Sequence, residues 1–195
     1  MERELLITGI GGQGVQLAAQ VVARAATLEG REVLFFGLYG GMMRGGNTDS
    51  TVVVADAPIE APPVVAQAWS AIGMHDEYWE PVERRLRRGG VVLVNDSTFT
   101  RPVRDDVVVH RVQATEHAAG AGNALGASMV MIGAYSALTG LVGVDALLDA
   151  MRASIPPYRQ QHIEANERVI RIGYDGVEPG AHPAWPIAVA GAATT

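Results

Sequence analysis

The stretch LLITGIGGQGVQLAAQVVARAATLEG, residues 5–30, leaves little freedom in local structure. Leu5, Leu6 and Ile7 form an apolar run between Glu4 and Thr8, the pattern of a short buried strand. After the glycine turn Gly9–Gly14, apolar side chains recur at Val15, Ala18, Ala19, Val22, Ala25 and Ala26. That is the spacing of one helix face, and Gly30 supplies the stop. Val33–Phe36 is a second apolar strand. The segment therefore reads as a β-turn-α-β unit, whose crossover is expected to be right-handed.

The same reading extends along the chain. Thr51–Ala55 is β-branched and strand-like, and DAPIEAPP turns after it. A short helix is expected at Val64–Trp69 and a strand at Ala71–Met74. A helix is expected over Glu80–Arg88, with Arg84, Arg85, Arg87 and Arg88 complementing its dipole and Gly89-Gly90 ending it. Val91–Val94 and Val107–Val112 are strands, and helices are expected near 126–138, 144–153 and 158–171. Strands alternating with helices predict a single three-layer α/β/α domain of Rossmann-like type around a mostly parallel or mixed sheet. Its span is set at residues 1–175, followed by a Gly/Pro/Ala-rich extended tail over 176–195 that either packs on a partner through Trp185 or is loose.

Composition narrows the classes. At 195 residues the chain suits one domain, and with 48% hydrophobic but 6% aromatic residues its core must be aliphatic. Several of the 23 glycines fall inside apparent helices, which implies tightly packed helices or interfaces. A net charge of −6 argues against nucleic acid as a partner. With no cysteine, the chain itself offers neither a thiolate nucleophile nor ligands for a cysteine-held iron–sulfur cluster. The uncharged stretch from Ala118 to Val144 is interrupted by seven polar or glycine positions typical of turns, and a buried helix fits it better than a membrane span. No signal peptide precedes the first strand, so a cytoplasmic location is expected.

Gly9, Gly11 and Gly14 satisfy the G-x-G-x-x-G spacing in its strand-to-helix context. In that geometry the first glycine turns, the second admits a phosphate, and the third lets helix and strand pack. Helix-start N–H groups then attract anions. A nicotinamide dinucleotide site also needs an acid at the end of the second strand, where Phe35-Phe36-Gly37 stands instead. No Gly-Lys-Ser/Thr element follows, so a Walker-type site is excluded. A close-packed turn without ligand stays open as a reading. The second glycine loop, RGGNTDS from Arg44 to Ser50, carries an arginine suited to a phosphate or carboxylate. A shared carboxyl edge of the sheet would bring it near Gln13.

GIGGQGVQLAAQVVARAATLEGREV and YGGMMRGGNTDSTVVVADAPI together resemble the gamma subunit, or gamma domain, of the 2-oxoacid:ferredoxin oxidoreductases. LRRGGVVLVNDS, MVMIGAYSALTG and IEANERVIRIGY, with the family's recurrent Asn at Asn166, extend the likeness over about residues 3–174. Ser128 stands where the family often has Asn, and the tail beyond Gly176 has no counterpart in it.

The resemblance implies an oxidative decarboxylation of a 2-oxoacid, with the acyl group released to coenzyme A. It places thiamine diphosphate, Mg and the iron–sulfur clusters in partner subunits (alpha, beta and a ferredoxin-like one), with no cofactor bound by this chain alone. The gamma part closes over the site and helps receive coenzyme A. By similarity Gly11, Gly12, Gln13 and Gly14 meet a phosphate-bearing ligand or shape a partner-facing turn, with Arg44, Gly45, Gly46 and Asn47 opposite. Two other readings remain: a stand-alone nucleotide-binding module, and a purely structural subunit.

The remaining candidates read blandly. The five histidines show no His-Glu-x-x-His pattern, so no catalytic metal site is expected. Ser97 lacks a Gly-x-Ser-x-Gly elbow. Asp105-Asp106 and Asp145/Asp149 read as turn and helix-face charges, Met42-Met43 as an adaptable contact to another chain. No catalytic nucleophile or base stands out.

Overall fold

The computed structural model describes residues 1–39, 45–59 and 65–186. Six strands, β1 (Glu2–Ile10), β2 (Glu32–Tyr39), β3 (Asn47–Ala55), β4 (Ala68–Gly73), β5 (Leu86–Asn95) and β6 (Val108–Val112), form one sheet in the order β2-β3-β1-β4-β5-β6. β3 runs antiparallel to both neighbours, while β1, β4, β5 and β6 pair in parallel. The fold is thus a single α/β domain on a mixed sheet. The reversal of β3 has a consequence for the site. It brings Asn47, where β3 begins, opposite Ile10, where β1 ends.

The pleat divides the core in two. Leu5 and Ile7 of β1, with Val52, Val54, Ile72 and Leu93, meet the helices α1 (Val15–Leu28), α3 (Ala114–Gly120), α4 (Ala127–Thr139), α5 (Val144–Ser154) and α6 (Ile163–Asp175). On the other face Leu6, Ala71, Val92 and Val94 meet Trp79 and Val82 of the short helix α2 (Trp79–Glu83) and Phe99. Trp79 and Phe99 pack edge to face, their centroids 5.2 Å apart. Leu5, Leu6 and Ile7 are all buried because β1 is central and covered on both faces.

α4 is buried on every side, Ala127 alone excepted, between the sheet and the other helices. Its length and lack of charge follow from that position, and among the described residues no helix is long and apolar enough to cross a membrane. Tyr135, Ser136 and Thr139 on it all find hydrogen-bond partners. The Tyr135 hydroxyl lies 2.8 Å from Ser70 Oγ, which donates to the carbonyl of Glu4 at 3.0 Å, and complete burial holds the phenol well above its ordinary pKa.

Three expectations need correction, and one helix had none. Residues 65–67 are irregular and Ala68 and Trp69 already belong to β4 (Val64 lies outside the described residues). The helix expected over Glu80–Arg88 stops at Glu83, and Gly89-Gly90 lies within β5. Its arginines therefore serve other ends: Arg84 pairs with Glu80, Arg87 with the buried Glu4, Arg88 with Asp106, and Arg85 donates to the carbonyl of Val65. The helix expected near 158–171 is a 3-10 helix, Pro157–His162, followed by α6. Finally, α3 was missed, because ATEHAAG carries too few apolar residues to show a period.

Residues 177–186 pack back onto the chain's own helices. Gly180, His182 and Ala184 donate their N–H groups to the carbonyls of Ala137, Leu138 and Thr139, and Gly140 takes that of Ser136. The four orphan carbonyls at the buried end of α4 are thereby satisfied. Trp185 donates to the carbonyl of Leu141 at 3.1 Å, and the Arg31 guanidinium stacks 3.9 Å from its ring centroid.

Candidate functional site at the first glycine turn

The turn after β1 is built in two halves. Its first half continues the sheet: the Gly11 N–H donates to the Gly46 carbonyl at 2.8 Å, and the Gly45 N–H to the Gly11 carbonyl at 3.4 Å. The two glycine loops thus meet at one edge of the sheet, brought there by the antiparallel β3. The Gly11 N–H is consumed in this pairing. Asn47 donates from Nδ2 to Asp49 Oδ2 at 2.8 Å. Arg44, like Met42 and Met43, lies outside the described residues.

Gln13 locks the turn. Its Oε1 accepts the Ile10 N–H at 2.9 Å and its Nε2 donates to the Met74 carbonyl at 3.3 Å, so the side chain ties the end of β1 to the end of β4. Gly9 is required beneath it, since a Cβ there would stand 2.6 Å from Gln13 Oε1 and 2.9 Å from Met74 Cβ. The left-handed residues are Gly12, at φ 108°, and Gly14, at φ 77°. The G-x-G-x-x-G roles are therefore redistributed: the turning falls to Gly12 and Gly14, and Gly9 serves close packing.

The second half of the turn is open. Gly14 caps α1 without a side-chain cap, and no acid stands in the first turn of that helix. Among the described residues no acceptor meets the N–H groups of Gly12, Gly14, Val15 or Gln16. Four donors and the positive end of a helix dipole are left for something else. They border a groove of 420 Å³ lined by Gly12, Gly14, Leu17, Asn123, Leu125, Ile155, Arg159, His162 and Asn166. Sequence reading named Asn166 but missed Asn123, Leu125, Arg159 and His162. These come from two separate segments, the loop before α4 and the 3-10 helix, and the packing of α6 against α4 and α3 brings them together.

A second depression, of 290 Å³, lies by Asp96, Arg111, Gln113 and His117. Arg111 is already engaged there, by Asp96 at 2.8 Å and the Phe99 carbonyl at 3.2 Å. Ser97 donates to Glu116, and among the described residues no group of three His, Asp or Glu side chains could hold a metal.

The chain matches the family model described as pyruvate ferredoxin/flavodoxin oxidoreductase over residues 4–176. It is 32% identical to the 2-oxoglutarate synthase subunit KorC of Methanocaldococcus jannaschii, over 80% of this chain and 85% of that subunit. The gamma subunit of a keto/oxoacid ferredoxin oxidoreductase from Geobacter sulfurreducens superposes with a TM-score of 0.76 at 26% identity, covering 89% of this chain and 96% of the other. The same fold recurs, at a TM-score of 0.81 but 15% identity, within a longer chain of the Magnetococcus marinus 2-oxoglutarate:ferredoxin oxidoreductase, a structure with 2-oxoglutarate, coenzyme A and succinyl-CoA bound; 95% of this chain is covered and 33% of that one. From its first strand to the end of α6, this chain belongs to the pyruvate ferredoxin/flavodoxin oxidoreductase family.

Proposed function

We propose that the chain is the gamma subunit of a thiamine-diphosphate-dependent 2-oxoacid:acceptor oxidoreductase complex, in which it closes the site and receives coenzyme A. The observation that carries this reading is the near end-to-end correspondence with separately encoded subunits of such enzymes. Thiamine diphosphate and Mg, with the iron–sulfur clusters, belong to partner subunits and supply the carbon and electron chemistry there. This chain contributes binding and orientation. The open N–H groups at Gly12 and Gly14 suit an anionic group of coenzyme A, Gln13 holds the turn rigid, and Gly11, Gly45, Gly46 and Asn47 join the two loops that face the partner. Arg44 is assigned to the same face from sequence alone.

Co-expression with the alpha and beta partners tests the reading. The assembly should reduce a ferredoxin or viologen only when a 2-oxoacid and coenzyme A are both present, and omission of this chain should abolish that turnover. Undiminished turnover without it would overturn the proposal. Within the assembly Arg44→Ala should raise the coenzyme A KM by ten- to a hundredfold, the scale of one lost charge-assisted contact. If Arg44 pairs with a partner carboxylate instead, assembly fails first. Wild-type behaviour in both respects would make it an ordinary solvated charge.

A further inference from the structure

We propose that the groove on the Gly12–Gly14 side of the turn is itself a phosphate site, with Arg159 and Asn166 as its side-chain contacts. This deepens the coenzyme A reading and rests on it for the ligand's identity, while assigning the anion to residues from the far end of the chain. Nothing in the glycine motif points to them.

The first observation is the uncapped α1 start, whose N–H groups at Gly12 and Gly14 border the groove. A Cβ on Gly12 would find nothing within 4 Å, so the main chain there can be approached closely. The second observation is independent of the helix. Asn166 is 9% exposed, and its Oδ1 accepts from Asn123 Nδ2 at 2.9 Å. Asn123 is itself fixed by the Gly126 N–H, which donates to its carbonyl at 2.7 Å. That orientation leaves the Asn166 Nδ2 with no acceptor among the described residues, on a side chain that lines the groove. An amide donor left unmade on an otherwise buried side chain is free to meet a ligand in the groove.

Charge and shape agree. Arg159 and His162 face the groove, and no carboxylate lines it. Among the described residues Arg159 has no acidic partner, its guanidinium resting on the neighbouring Tyr158 ring. Leu17, Leu125 and Ile155 give an apolar wall, and Leu125 is 85% exposed. A volume of 420 Å³ falls in the range of small-ligand sites. Backbone donors, one amide, one guanidinium and an apolar wall together fit a phosphate ester whose other part is apolar or planar.

Calorimetry on the full chain with inorganic pyrophosphate tests the site directly, with ¹⁵N spectra reporting Gly12, Gly14 and the Asn166 amide. Pyrophosphate should bind and shift those three signals. Arg159→Glu, a change at an exposed side chain, should weaken binding at least tenfold. Asn166→Asp keeps the acceptor for Asn123 but replaces the donor by a repelling oxygen, and should do the same. Arg84→Ala, on the other face of the sheet, should leave affinity unchanged. Absence of the shifts at millimolar pyrophosphate, or equal affinity in Arg159→Glu, would overturn the site. In the assembled enzyme Arg159→Glu should also raise the coenzyme A KM. Pyrophosphate binding that depends on Arg159, combined with an unaltered KM, would uphold the phosphate site and remove coenzyme A as its ligand.

Discussion

Gly133 of α4 and Gly173 of α6 stand in reciprocal contact: a Cβ on Gly133 would lie 2.1 Å from the carbonyl oxygen of Ile170, and one on Gly173 would lie 2.0 Å from that of Val130. Each helix therefore presses a glycine against the other's backbone one turn away. This close approach places α6, and with it Asn166, against the loop that carries Asn123.

Gly133→Ala and Gly173→Ala should consequently destabilise the chain. Alanine in place of glycine usually gains roughly 0.5–1 kcal/mol in a helix, but here the obstacle is backbone that no rotamer change can clear. A loss of about 1–3 kcal/mol is expected, or roughly 3–10 °C in Tm for a chain of this size. Gly120, at the end of α3, has nothing within 4 Å of its would-be Cβ, so Gly120→Ala should be neutral or mildly stabilising. Thermal unfolding of the three variants decides it, and a stabilised Gly133→Ala would contradict the packing argument.

Gln13 should act through the turn and not as a free recognition group. Gln13→Glu keeps an acceptor for the Ile10 N–H but loses the donor to the Met74 carbonyl and sets a carboxylate against that oxygen. The charge gains about 0.3–1 kcal/mol from the α1 dipole; against it stand the lost bond, about 0.5–1.5 kcal/mol, and the repulsion between the carboxylate and the Met74 carbonyl, which keeps only its bond from Thr98 Oγ1. The net is a loss. Equilibrium denaturation should show a lower midpoint for Gln13→Glu than for wild type. In the assembled enzyme the coenzyme A KM should rise with it.

Nicotinamide dinucleotides should not bind at this turn. The position that would carry the ribose acid is closed as well as apolar: a Cβ on Gly37 would stand 2.0 Å from Gln16 Oε1, and Gln16 is itself held by the Asp49 carbonyl at 2.8 Å. The neighbour of β2 is moreover the antiparallel β3, not β1. Calorimetry with NAD and NADP should give no heat at micromolar concentrations. Micromolar affinity that disappears in Gly11→Val would restore the dinucleotide module.

Strand and helix identities were legible wherever burial imposed a period. α1 was recovered nearly whole, because it has one apolar stripe, and the centre of β1 because it is covered on both faces, although the strand runs two residues further at each end. Reading failed at Glu80–Arg88, where a charged run imitates a helix end but Leu86, Arg87 and Arg88 enter β5 and pair outward with Glu4 and Asp106. Long-range ion pairs leave no local period. The glycine turn was legible for a similar reason to β1, since its strand-to-helix setting is local. Its spacing nevertheless misassigned the turning residues, which φ places at Gly12 and Gly14. The groove was illegible because Asn123, in the loop before α4, and Arg159, in the 3-10 helix, carry no local signal of their meeting, which the docking of α6 on α4 brings about. The docking of the last described residues was equally hidden: main-chain bonds from Gly180, His182 and Ala184 carry no side-chain signature.

That docked segment gives the chain a specific acid response. His182 packs edge to face on His110 with centroids 5.0 Å apart, and burial, reinforced by the His182 charge, holds the His110 imidazole below its ordinary 6.5. His110 Nε2 is buried and finds no hydrogen-bond partner among the described residues. The sign follows from proton uptake. Below 6.5 the unfolded chain binds a proton that the folded chain refuses, so stability is fully present above that pH and falls as pH drops toward the folded-state value. Asp56, Asp76 and Asp106 have folded-state values below 3.8, so their contributions are lost only at lower pH still. Two separated losses are therefore expected in Tm against pH. His110→Gln should flatten the first and leave the second, and Trp185 fluorescence should track the first, because Trp185 rides on the same segment as His182. A Tm that stays level from pH 7 down to pH 4 in the wild type would contradict this account.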